Sequence, residues 1–83
     1  MSIGGITDIK PDPEADAVYI QLRDLPYAFG RDLDDSRRID YSADSKPIGI
    51  ELLNVSMGVH LRDLPEQGAI GRLLQAHGIK LLV

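Results

Sequence analysis

The residues best able to do chemistry in this chain are carboxylates. In the stretch PDPEADAVYI, Asp12, Glu14 and Asp16 recur at every second position before the sequence turns apolar. Alternating oxygens of this kind open calcium loops, because a hard cation gathers several ligands on a tight bend. Here, however, Ala17 occupies the position of the loop glycine and Arg23 that of the closing bidentate glutamate. Two prolines and a strand-like run replace the flanking helices, so an EF-hand is excluded. A looser cation site is one remaining reading. The other is structural: Asp and Glu in a turn accept hydrogen bonds from N–H groups that a chain reversal leaves open.

Asp40 and Glu51 form the second candidate set. Two carboxylates in unequal surroundings can divide acid and base work between them. The competing reading pairs Glu51 with Arg38 across a hairpin as a surface ion pair, worth about 0–1 kcal/mol. His60 and His77 have no partner at metal-ligand spacing, and His77 suits the negative end of a helix. Ser2, Ser36, Ser42, Ser45 and Ser56 lie in no nucleophile elbow. The glycines form neither a dinucleotide-binding nor a phosphate-binding loop. The chain therefore carries no cofactor motif and no metal-ligand set.

Short strands and one helix must position these groups. Ile6–Lys10 reads as a first strand ended by Pro11 and Pro13, with PDPEAD as the connection to a second. From Ala17 to Leu22, Val18, Ile20 and Leu22 point one way and Ala17, Tyr19 and Gln21 the other, as in a half-buried strand. Tyr27 and Phe29 seed another short strand before the acidic loop RDLDDS. Ile39 and Tyr41, then Ile48, Ile50 and Leu52, flank the turn-rich SADSKP as a hairpin. Its register pairs Ile39 with Ile50, Tyr41 with Ile48, Arg38 with Glu51 and Asp40 with Gly49.

DLPEQGAIGRLLQAHGI predicts a helix with Asp63 and Glu66 as a capping box and Pro65 in the first turn. Ala69, Ile70, Leu73, Leu74 and His77 share its face. Gly78 is its C-terminal cap, with Ile79 placed for the hydrophobic contact. Ile79, Leu81 and Val83 alternate as a last strand. LRDLP occurs at 22–26 and again at 61–65. Because the flanking sequences differ, it reads as one way of leaving a strand used twice.

Eighty-three residues form one small domain, 1–83, with 43% apolar residues, one Phe, three Tyr and no Trp. A chain this short buries roughly 60–65% of its unfolded surface, and such a core is often completed by a second subunit. A net charge of −4 argues against nucleic acid, whose phosphates demand a basic patch. Arg37-Arg38 is the only candidate for one, and three aspartates precede it. The chain has no cysteine, hence no disulfide frame. It shows neither a leader pattern at its start nor an apolar run of membrane-spanning length. The expected location is the cytoplasm.

PDPEADAVYIQL followed by LDDSRRIDYSADSKPIGIELLNVS resembles the YuzE-like small bacterial proteins, a domain-of-unknown-function family. Asp12, Pro13, Glu14, Ala15, Asp16, Ala17, Tyr19 and Ile20 match its first motif. Asp40, Tyr41, Asp44, Gly49, Ile50, Glu51 and Leu52 or Leu53 match its second. Pro11 stands where an aromatic is usual, Arg37 where an apolar residue is usual, and Ser45 where the turn glycine is usual. The resemblance implies a small antiparallel sheet with a packed helix, and an antitoxin-type role is compatible with it.

The expectation is thus an α+β fold. Four to five mostly antiparallel strands, built from hairpins, carry a C-terminal helix on one face and a short last strand. Asp12, Glu14, Asp16, Tyr19, Asp40 and Glu51 are the functional or turn-organising candidates. The expected function is a non-enzymatic protein-interaction module, oligomeric as a dimer, with a partner protein, no nucleic acid and no membrane. The alternative is a small-ligand or divalent-cation site, or a small enzyme, built on the same acids.

Overall fold

A computed structural model describes residues 8–82. Among these residues, seven strands and one helix follow in the order β1 (Asp8–Asp12), β2 (Ala17–Gln21), β3 (Phe29–Asp32), β4 (Arg37–Tyr41), β5 (Pro47–Leu53), β6 (Val59–His60), α1 (Gln67–Ala76) and β7 (Leu81–Leu82), with a 3-10 turn at Val55–Met57. The first five strands form one antiparallel sheet in the order β1-β2-β5-β4-β3, while β6 and β7 pair in parallel. The fold is the expected small α+β arrangement.

Alternation builds the core. Val18, Ile20 and Leu22 face one side together with Ile39, Ile48, Ile50 and Leu52, and all are buried. Ile70 and Leu74 of α1 close over them with Val59 and Leu64. Each such side chain contributes about 1.5–3 kcal/mol by leaving water. The two hairpins meet along β2 and β5, from Ala17 opposite Leu53 to Gln21 opposite Gly49.

Four local expectations need correction. First, β1 runs through Pro11 to Asp12, because an edge strand tolerates a residue without an N–H on its free side. Ile6, Thr7 and Val83 lie outside the described residues. Second, Ile39 pairs with Ile50, Arg38 with Glu51 and Asp40 with Gly49 as the pattern indicates, but Tyr41 lies opposite Pro47. The register shifts between Asp40 and Tyr41. Ile48 becomes the extra residue, and its carbonyl accepts the N–H groups of Leu22 at 2.8 Å and Arg23 at 3.2 Å. Third, the strand seeded by the aromatics starts at Phe29, leaving Tyr27 in the loop before it.

Fourth, the capping box does not form. Asp63 (φ 66°) and Glu66 (φ 56°) are both left-handed, and α1 starts only at Gln67 with no side-chain cap. Burial of Leu64 explains the change, since the two reversals drive that side chain into the core. The other end follows its sequence signal. Gly78 is left-handed (φ 74°), its N–H bonds the Gln75 carbonyl, and the Ile79 N–H bonds that of Leu74. This is the Schellman arrangement, with Ile79 packed against the core.

Candidate functional site

With the apolar residues turned inward, the alternate residues cover the outer face of the large sheet. One row across the strands reads Lys10, Tyr19, Glu51, Arg38, Asp32; its neighbour reads Asp8, Gln21, Gly49, Asp40, Gly30. Asp12 lies on the same face beside Ala17 and Leu53. Among the described residues of these strands, the face therefore presents Asp8, Asp12, Asp32, Asp40 and Glu51 against Lys10 and Arg38.

At its centre is a continuous polar network. The Tyr19 hydroxyl donates to Asp40 Oδ2 at 3.3 Å, and Arg38 Nε donates to Asp40 Oδ1 at 3.3 Å. Arg38 also donates to the Tyr27 hydroxyl at 3.2 Å and lies 3.5 Å from Asp32. Two glycines make this geometry possible. A side-chain carbon on Gly49 would overlap the Tyr19 phenol, and one on Gly30 would overlap the Arg38 guanidinium. Tyr19 and Arg38 thus lie flat across bare backbone and hold Asp40 between them. Burial, then the adjacent Asp40 carboxylate, pushes the Tyr19 hydroxyl above its ordinary pKa.

Arg38 and Glu51 share the expected register, yet the expected ion pair is absent. Arg38 turns to Asp40 and Asp32 instead, because both carboxylates lie within its reach on the strands β4 and β3. Glu51 stays exposed. Asp40 is consequently tied to Tyr19 and Arg38 and does not join Glu51 as a carboxylate pair.

The acids of the first turn separate. Asp12 accepts the Ala15 N–H at 3.3 Å, and the Asp16 N–H reaches the Pro13 carbonyl at 3.2 Å. Asp16 itself is left-handed (φ 53°) and points away from the turn. Its carboxylate accepts the N–H of Ser56 at 2.9 Å and the hydroxyl of Ser56 at 2.6 Å, while its carbonyl takes the Val55 N–H at 3.1 Å. Glu14 is exposed. Among the described residues, no group of three His, Asp or Glu side chains is placed to hold a metal ion.

Sequence reasoning missed three contributors. Arg37 occupies an inward position of β4 with 6% of its surface exposed. It donates to Asp34 at 2.9 Å, to the His60 carbonyl at 3.0 Å and to the Arg62 carbonyl, so it joins β4 to the β6 segment. The Ser36 N–H, with Arg37 adding to it, holds the Asp34 carboxyl below the ordinary carboxylate range. The other two are Tyr27, which completes the outer network, and Ser56, which anchors Asp16. Arg37 carries a signal in the sequence, a charged residue in phase with the buried Ile39; Tyr27 and Ser56 carry none, because their partners are distant in the chain.

A second surface feature is an open apolar groove between the 3-10 turn and the β3–β4 loop, formed by Leu53, Met57, Val59 and Leu82 with Asp34 and Asp35 at its rim. Among the described residues, no helix is long and apolar enough to cross a membrane.

Compared with known proteins, residues 9–56 match the model of a family described as a protein of unknown function, DUF2283. The matched span runs from β1 to the 3-10 turn and contains both rows of the outer face except their β1-edge Asp8. No curated protein and no solved structure matches the chain.

Proposed function

Taking as premise that the chain belongs to the DUF2283 family, we propose that it is a protein-interaction module of the YuzE-like type, acting in the cytoplasm. Its outer sheet face receives a basic surface of a partner protein. The observation that carries this reading is the network of Tyr19, Asp40, Arg38 and Tyr27 laid across Gly49 and Gly30. It spends its polar groups on one another, so the face is ordered before any partner arrives. Preorganisation of this kind lowers the entropy lost on association. Glu51 stands free at the centre of the face, with Asp8 and Asp12 beyond it, and this excess of carboxylates complements a cationic partner. An antitoxin-type role, in which the partner is a small basic toxin, is one form of such a module.

The test is recovery of the partner from native-host lysate by the tagged chain. Wild type is expected to retain a protein that elutes with rising salt. Glu51→Arg, at the centre of the face, is expected to lose it, whereas Asp24→Arg in the exposed β2–β3 connection keeps it. Retention by Glu51→Arg at wild-type level contradicts the proposal.

A further inference from the structure

We infer that two copies of this chain join edge to edge through β3, extending the antiparallel sheet across both. The inference deepens the interaction reading, on which it rests, by naming a second copy as one partner and a surface separate from the outer face.

The large sheet ends at β1 on one side and β3 on the other. An end strand presents unpaired N–H and C=O groups that can template another strand. On β1 this is blunted, because Pro11 offers no N–H and Lys10 adds a charge. β3 has no proline, and its two charges, Arg31 and Asp32, are of opposite sign. Leu33 sends its N–H inward to the Arg37 carbonyl at 2.8 Å, so strand alternation along the β3–β4 register turns the N–H groups of Gly30 and Asp32 to the free side. Large apolar side chains gather at this same edge. Leu25, Tyr27 and Phe29 are 41%, 57% and 41% exposed. Phe29 already stacks on Tyr41, with ring centroids 5.1 Å apart, which holds it still for a partner.

The sequence of β3, Phe29-Gly30-Arg31-Asp32, is complementary to itself when reversed. Antiparallel pairing about a two-fold axis at Gly30 sets Phe29 opposite the partner's Arg31, and Arg31 opposite the partner's Phe29, all on the inner face. A guanidinium against an aromatic face is attractive, and this pair occurs twice. A register centred on Arg31 would oppose two like charges and is disfavoured. The strand carries one positive and one negative charge, so the two copies meet here without the repulsion that the net charge of −4 imposes elsewhere.

The absence of native cysteine makes the test direct. In the inferred register, residue 30 meets its own copy as a hydrogen-bonded pair, with Cα atoms about 5.5 Å apart, within the range a disulfide spans. The added Cβ meets only the flexible end of Arg38. Gly30→Cys is expected to form a covalent dimer on mild oxidation at micromolar concentration, and Lys10→Cys on the opposite edge is not. By light scattering, wild type is expected to have the mass of a dimer. Asp32→Pro removes a free-side N–H but leaves the inward ladder; it is expected to raise the dissociation constant at least about tenfold. Phe29→Lys serves as the second variant should circular dichroism show that Asp32→Pro loses its strand. A monomeric wild type overturns the inference. So does a dimer that survives in the folded variants, or one that Lys10→Cys crosslinks in place of Gly30→Cys. None of these results touches the Glu51-dependent capture of a basic partner, so the two readings fail separately.

Discussion

Asp16 and Ser56, forty positions apart in sequence, are joined by two hydrogen bonds, from the Ser56 N–H at 2.9 Å and its hydroxyl at 2.6 Å to the Asp16 carboxylate. The first turn is thereby fastened to the segment that leaves β5. That makes Asp16 an architectural group, with its acceptor capacity already directed at a side chain and a backbone donor.

Removing either partner should therefore cost stability. Hydrogen bonds to a charged group contribute roughly 1.5–3 kcal/mol where sheltered, and partial exposure at this site reduces that to about 1 kcal/mol. Asp16→Ala and Ser56→Ala are each expected to lower the melting temperature by about 4–8 °C. In the double-mutant cycle the second substitution should add little once the first is made. Independent, fully additive losses would show that the pair does not couple.

Ser45 sits in the tight turn between β4 and β5 with a left-handed backbone (φ 64°). A residue with a Cβ is strained in that conformation by roughly 1–2 kcal/mol, while glycine is not. Glycine also loosens the unfolded chain, which offsets part of the gain. Ser45→Gly is expected to stabilise by about 0.5–1 kcal/mol in urea unfolding. A destabilised variant would contradict the strain account.

The phenol of Tyr19 is pushed up, first by burial and then by Asp40. A folded-state pKa above the unfolded value contributes stability that is present below about pH 10 and lost as pH rises through the folded value. With no Trp to obscure the signal, tyrosinate absorbance should show one of the three tyrosines ionising later than the others. Asp40→Asn should bring that ionisation down, and so should Gly49→Ala, which displaces the ring. Unchanged titration in both variants would refute the network as drawn.

Asp34 behaves in the opposite sense. The Ser36 N–H and the Arg37 guanidinium depress its carboxyl, so its contribution is present above about pH 4 and fades as pH falls through the folded value. Protonation also leaves buried Arg37 without its counter-charge, although 44% exposure of Asp34 lets water screen part of the loss. The stability of wild type should therefore decline on acidification more steeply than that of Asp34→Asn, which has no such proton to take up. Equal acid limbs would count against it.

What the sequence made legible follows from periodicity. Strict alternation in Ala17–Leu22 and in β4–β5 placed the sheet faces and the Ile39–Ile50 register, and Gly78 with Ile79 marked the helix end. What it concealed depends on tertiary placement. The start of α1 is governed by burial of Leu64, which overrides a good capping pattern. The bulge at Ile48 arises where Leu22 and Arg23 claim its carbonyl. Arg38 stands opposite Glu51 yet bonds Asp40 and Asp32, a choice between nearby carboxylates that register alone leaves open. Ser56 joins Asp16 from forty residues away, beyond the reach of any local motif.

The most direct measurement of the central claim is an NMR footprint of the captured partner on the isotopically labelled chain. Amide shifts should change along Tyr19, Gly49, Glu51, Arg38 and Asp40, with the α1 face silent, and the complex should weaken as salt rises. Perturbations confined to Leu53, Met57 and Leu82 of the apolar groove, with the outer face unchanged, would contradict it.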